Sequence, residues 1–274
     1  FKALYPNLTD DVQREHHANV TQLDHAFGLL MKSLDEQKLT DSTFVFFTSD
    51  NGPVWYPRDV KRFGHDAVGG FRGMKGDAWE GAHRMPFIVR WLGRVAAGAR
   101  SDQTVCFTDL MATFAAVLGT QLPDNAGEDS VSLLPLLRGS DRPVREHAVS
   151  ASIQGTPAVR SGSWKYIPAP GSGGWGKGGD QAQPVQLYNL ADDLGETKNL
   201  AAALPEKVAE DLPRAIDAAR AAGLKVEMIT TDITSVREPH TETLLRTAAK
   251  HGVKFYRLGN WNYDPKLGVL GTIE

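Results

Sequence analysis

Thr43-Phe44-Val45-Phe46-Phe47-Thr48 runs without a charge into Ser49-Asp50-Asn51-Gly52-Pro53. Six β-forming residues of this kind predict a strand buried on both faces, as in a parallel sheet. The chain then sets a carboxylate beside an amide oxygen and turns sharply on Gly52 and Pro53. Ligands in open α/β sheets sit outside the carboxyl ends of the strands. Paired hard oxygen donors there suit calcium or magnesium rather than zinc. The same tripeptide also reads as an Asx-type turn that only closes a strand.

A glycine-rich stretch follows, Gly69-Gly70-Phe71-Arg72-Gly73-Met74-Lys75-Gly76, then Asp77-Ala78-Trp79-Glu80-Gly81-Ala82-His83-Arg84-Met85-Pro86 and a second apolar strand, Phe87-Ile88-Val89-Arg90-Trp91. Glycines let backbone pass close to a ligand. Lys75, set between Met74 and Gly76, could reach an anion there, although a lysine in such a loop is also commonly just solvated.

Thr48-Ser49-Asp50-Asn51-Gly52, Arg72-Gly73-Met74-Lys75-Gly76 and the segment from Trp79 to Pro86 together resemble the sulfatase family of the alkaline-phosphatase-like superfamily. Phe107-Thr108-Asp109-Leu110-Met111-Ala112-Thr113 and Leu187-Tyr188-Asn189-Leu190 with Asp193, Glu196 and Asn199-Leu200 extend the likeness over residues 1–208. The order resembles the C-terminal half of such an enzyme. The resemblance implies that Asp50 and Asn51 are ligands of a divalent cation, calcium in most relatives, and that Lys75 contacts the sulfate as the catalytic cation. It implies a small-molecule or sugar sulfate ester as substrate and a periplasmic or secreted setting for relatives. A relative working on phosphate esters is the neighbouring alternative.

The family's formylglycine is made from Cys in a Cys-x-Pro-x-Arg segment. The single cysteine, Cys106, is followed by Phe107, Thr108, Asp109 and Leu110, so it reads as a packing thiol and no nucleophile can be named. The family's Asp-Asp metal pair, the Lys and His beside its nucleophile and its further His are also not in this sequence. The expectation is a fragment whose other half lies elsewhere and which alone does not turn over a sulfate ester. Glu80 and Arg84 are expected to pair locally, and His65 and His83 to be surface or loop-packing residues.

Helix spacing of Val20, Leu23, Phe27, Leu30, Met31 and Leu34 predicts a helix over 12–38, capped by Asp10 or Asp11. A second helix should run from Asp109 to Leu118 and end at Gly119. Short strands near 148–150, 158–160, 164–167 and 185–188 read as a small antiparallel sheet. The glycines at 170–179 predict a mobile stretch, either exposed slack or an active-site rim. The fold class is thus α/β: a partial alkaline-phosphatase-like sandwich with a parallel sheet, a small antiparallel sheet and a truncated βαβ tail.

That tail, residues 209–274, has its own pattern. Helices over 213–222 and 239–250 alternate with strands at 225–231 and 253–258, a parallel βαβ unit. Ala219-Arg220-Ala221-Ala222-Gly223-Leu224, Met228-Ile229-Thr230-Thr231-Asp232-Ile233 and Tyr256-Arg257-Leu258-Gly259 resemble sugar-phosphate isomerases and epimerases with the xylose-isomerase-like TIM barrel. His240 and Tyr256 are given only packing or barrel-mouth roles. The tail is either a real fusion or a join of two reading frames near residue 210. No apolar run approaches the ~18 residues of a membrane span. A formal charge of −3 without a basic stripe gives nucleic-acid binding no support.

Overall fold

The computed structural model describes residues 1–127, 129–179, 183, 185–210, 228–230 and 255–257, the last two segments and residues 209–210 as backbone only. Helix α1, Asp11–Glu36, starts where the Asp10 carboxylate accepts the amides of Val12 (3.0 Å) and Gln13 (3.1 Å). A 3-10 turn at Thr40–Ser42 leads into strand β1, Val45–Thr48. Helix α2, Pro57–Phe63, closes on Gly64, and strand β2 is Phe87–Arg90.

β1 and β2 pair antiparallel, Val45 with Arg90 through Thr48 with Phe87. This corrects the expected parallel sheet. A parallel return needs a long crossover, usually a helix lying on one face of the sheet. The connection here carries α2 and the glycine loop, and the bonds from Gly52 to the Ala82 carbonyl and from Lys75 to the Pro53 carbonyl bring the chain back beside the end of β1. β1 is not buried on both faces either: Phe46 is 37% exposed, and among the described residues β1 has β2 as its one neighbour. Phe27 of α1 meets Phe47 edge-on at 5.3 Å, yet Val20, Leu23 and Leu30 are over half exposed and Ala18 alone of α1 is buried. The helical periodicity marks a real apolar stripe, largely uncovered in the described residues.

Helix α3, Asp109–Leu118, ends on a left-handed Gly119 as expected. Asp109 is fully buried and takes the amides of Cys106 (2.8 Å) and Val131 (3.0 Å) and the Arg145 guanidinium (2.5 and 3.1 Å). Helix α4 is Leu134–Leu137. The antiparallel meander then forms as expected: β3 His147–Ala151, β4 Pro157–Ser161, β5 Trp164–Ile167 and β6 Gln186–Asn189, side by side in chain order. Its two faces carry two apolar clusters, Ala78-Trp79 with Ala158, Ile167, Tyr188 and Leu190, and Val159, Tyr166, Leu187 with Ala201. The first cluster fastens the glycine loop to the sheet.

The polar residues after β6 are structural. Asn199 takes the amides of Leu187 and Ala201 (both 3.0 Å) and donates to the Val185 carbonyl, while Asp193 takes those of Thr197 and Lys198. Helix α5, Pro205–Glu210, follows. Beyond it, β7 (Met228–Thr230) and β8 (Phe255–Arg257) pair in parallel, Met228 with Phe255. The helices expected at 213–222 and 239–250, and His240, lie outside the described residues, and a TIM barrel is not established. Among the described residues no helix is long and apolar enough to cross a membrane.

Candidate functional site

The strand-end turn and the glycine loop are bonded backbone to backbone. Gly52 donates to the Ala82 carbonyl (2.8 Å), Lys75 to the Pro53 carbonyl (2.9 Å) and Gly81 to the Arg72 carbonyl (2.7 Å). The approach is so close that a Cβ on Gly52 would stand 1.8 Å from the Gly81 carbonyl oxygen. Lys75 is therefore anchored two residues past Asn51. Its Nζ has no ion pair or hydrogen bond among the described residues, and the side chain is half-buried.

Asp50 is exposed and its carboxylate accepts no hydrogen bond among the described residues. Asn51 is half-buried; its Nδ2 donates to the Gly52 carbonyl at 3.0 Å, which leaves Oδ1 as an open acceptor. Each residue thus offers an unengaged oxygen of the hard-donor kind that calcium or magnesium takes. Calcium takes about six to eight oxygens, and among the described residues no group of three or more His, Cys, Asp or Glu side chains is gathered to hold a metal. Asp50 and Asn51 fit as part of a ligand set.

Asp77 shapes the loop. It is fully buried, and its carboxylate accepts the amides of Met74 (2.9 Å) and Gly176 (2.7 Å). Gly73, at φ +82°, turns the chain in the left-handed region against that carboxylate. The stretch at 170–179 is consequently not slack. Besides Gly176, Ser172 accepts from Ala78 (2.8 Å), and Gln154 donates to Gly173 (3.1 Å). Sequence composition recorded the backbone freedom of these glycines but not the buried carboxylate that uses their amides.

Glu80 and Arg84 pair as expected, Nε to Oε2 at 2.5 Å, but they belong to a larger cluster. Arg160 on β4 and Lys165 on β5 stand directly opposite each other in the register, an unfavourable like-charge pair. Glu80 lies between them, accepting from Arg160 Nη1 and Lys165 Nζ, each at 3.0 Å. Lys165 Nζ also lies 3.2 Å from Glu196 Oε1, and Glu196 Oε2 accepts the Glu80 amide at 2.7 Å. Burial pushes the Glu80 carboxyl up, but Lys165 and Arg84 outweigh it and hold it at about 2. Burial raises Glu196, against the pull of Lys165. Arg72 completes the loop's frame, its guanidinium 3.8 Å over the Trp79 ring and bonded to Tyr188 and the Glu196 carbonyl.

His65 is exposed, beside Trp55, as expected of a surface residue. His83 is mostly buried, and burial followed by Lys165 lowers its pKa from 6.5 to about 4. A folded-state value below the unfolded one makes the unfolded chain bind more protons between the two. The His83 contribution is thus complete above pH 6.5 and is lost as pH falls toward 4. At about 1.36 kcal/mol per unit this is roughly 3 kcal/mol. Urea midpoints measured from pH 7 to pH 4 should fall steeply in the native chain and more gently in His83→Gln. Cys106 is half-buried rather than a fully buried thiol.

Residues 3–120 match the sulfatase family. Over that segment the chain is similar to sulfatases. It is 39% identical over 203 residues to the N-acetylgalactosamine-6-O-sulfatase of Bacteroides thetaiotaomicron, covering 70% of this chain and 39% of that protein. Arylsulfatase A of Bos taurus is 34% identical over 71% of this chain and 40% of its own length. A solved Bacteroides thetaiotaomicron sulfatase, from the metabolism of multiple glycosaminoglycans, superposes with a TM-score of 0.64 at 36% identity, covering 73% of this chain and 43% of that one. The chain thus spans about two fifths of the length of the curated relatives it matches.

Proposed function

We propose that this chain supplies the metal- and sulfate-binding part of a sulfuric ester hydrolase acting on a sulfated sugar. Asp50 and Asn51 hold calcium, and Lys75 holds the sulfate. The observation that carries the reading is the 2.9 Å bond from the Lys75 amide to the Pro53 carbonyl, which fastens the lysine to the turn bearing both oxygens. A sulfate ester concentrates charge on its oxygens as the ester oxygen departs, and a pre-positioned ammonium stabilises that charge without reorganising. Bound calcium would add Lewis-acid polarisation of a sulfate oxygen. Asp77 keeps the loop's shape, and the Glu80 cluster keeps the loop on the sheet. A formylglycine nucleophile, expected of the full-length family, would come from sequence other than these 274 residues. The name of the Bacteroides relative supports an amino-sugar sulfate as substrate. A phosphoesterase of the same superfamily would use the same cation and lysine.

Calcium titration of the native chain should give saturable binding, at least about tenfold weaker in the Asp50→Ala/Asn51→Ala variant, or about 1.4 kcal/mol. Equal affinities would remove the metal assignment. For the tail, the parallel pairing of β7 with β8 supports the isomerase-type βαβ reading.

A further inference from the structure

Beside the turn lies a cavity of about 450 Å³, within the range of small-ligand sites, with Asp50 at its edge and His83, Arg84, Ser150, Arg160 and Lys165 among its walls. Asp50, Glu80 and Asp102 line it together with Arg84, Arg160 and Lys165, so what it offers an anion is unused donor N–H groups rather than net charge. Arg84, Arg160 and Lys165 all converge on Glu80, and Glu196 answers Lys165 alone. Glu80 consumes one nitrogen of each guanidinium. Arg160 Nε bonds the Gly162 carbonyl, and Nη2 of Arg160 and both terminal nitrogens of Arg84 donate to nothing among the described residues. Burial, then the neighbouring Arg84, lower the pKa of Arg160 against the pull of Glu80.

His83 adds the opposite polarity. The Asp77 backbone beside the ring favours its protonated form, and in a neutral imidazole one nitrogen donates while the other accepts. Nε2 is buried without a partner among the described residues, an acceptor in need of a donor. A site with spare guanidinium donors and one buried acceptor matches an oxyanion carried next to a hydroxyl.

We propose that this cavity is a second anion subsite, in which Arg84 and Arg160 hold a carboxylate or sulfate of a saccharide while His83 Nε2 accepts from an adjacent hydroxyl. It rests on the sulfated-sugar reading only for the saccharide; the site itself is defined by its donors. Arginine rather than lysine at the open edge suits planar, two-point contact with such a group.

The test is calorimetric titration of the 274-residue chain in chelator-treated buffer, in a Lys75→Ala background that removes the sulfate contact proposed above. The probes are glucuronate and inorganic sulfate. Saturable binding is expected, at least about tenfold weaker after Arg160→Gln and after Ser150→Phe, which fills the cavity and leaves the ion cluster intact. The tighter probe tells carboxylate from sulfate. Equal affinity in both variants, or no saturable binding of either probe, would overturn the subsite. Calcium titration of the Asp50→Ala/Asn51→Ala variant is independent of this result, so either assignment can fail alone.

Discussion

Lys165→Met lowers the unfolding free energy of the chain by about 3–5 kcal/mol, the cost of breaking a buried ion pair by removing one partner. The lysine is 2% exposed, and its ammonium faces two carboxylates, at 3.0 Å and 3.2 Å. Without it, Glu80 keeps Arg84 and Arg160, but Glu196, fully buried, keeps only the Glu80 amide. Burial already raises the Glu196 pKa, so the carboxyl takes up a proton and the loss sits nearer the lower figure. Adding Glu196→Gln removes the stranded acid, and the double variant should recover part of the loss. Groups in one network are not additive. Urea unfolding of the two variants measures both effects, and a loss below about 1 kcal/mol for Lys165→Met would mean that the pair behaves as an exposed one.

The cluster also marks where sequence reasoning stops. Glu80 and Arg84 are four residues apart, and their pairing was legible for that reason. Arg160, Lys165 and Glu196 are 80, 85 and 116 residues from Glu80, and what joins them is the β4–β5 register, Arg160 against Lys165. No local pattern encodes that register's charge content. The meander strands themselves were legible, since alternating short runs between turns report pleated, half-buried segments. The direction of β2 was not: an apolar run reports burial, not which way its neighbour travels. Likewise, glycines at 170–179 report what the backbone can do, while their order comes from Asp77, about a hundred residues earlier. Asp50, Asn51 and Lys75 could be nominated as a candidate site because each stands in a contiguous segment. That the lysine's backbone bonds the turn is a fact of the folded chain alone.

Gly52→Ala is expected to cost about 3 kcal/mol and to weaken calcium binding together with stability. An added methyl at 1.8 Å from the Gly81 carbonyl oxygen meets backbone, not a side chain that can swing away. Nor can Gly81 retreat, because its own Cα already lies against the Arg72 and Gly73 carbonyls, 2.6 Å from where a Cβ would stand. The turn and the loop must part, and the Gly52–Ala82 and Lys75–Pro53 bonds are the ones that open. Two backbone bonds at about 0.5–1.5 kcal/mol each, with overpacking of about 1–3 kcal/mol, give that magnitude. Gly28→Ala is the control. It lies in α1 with open space where its Cβ would be, and helix propensity favours alanine there by about 0.8–1.0 kcal/mol. Opposite signs in the two urea midpoints, with calcium affinity lost only in Gly52→Ala, would tie cation binding to the fit between turn and loop. A Gly52→Ala chain as stable as the native one would mean that the lysine loop is not clamped to the Asp50–Asn51 turn, and the proposal of a shared site for cation and sulfate would go with it.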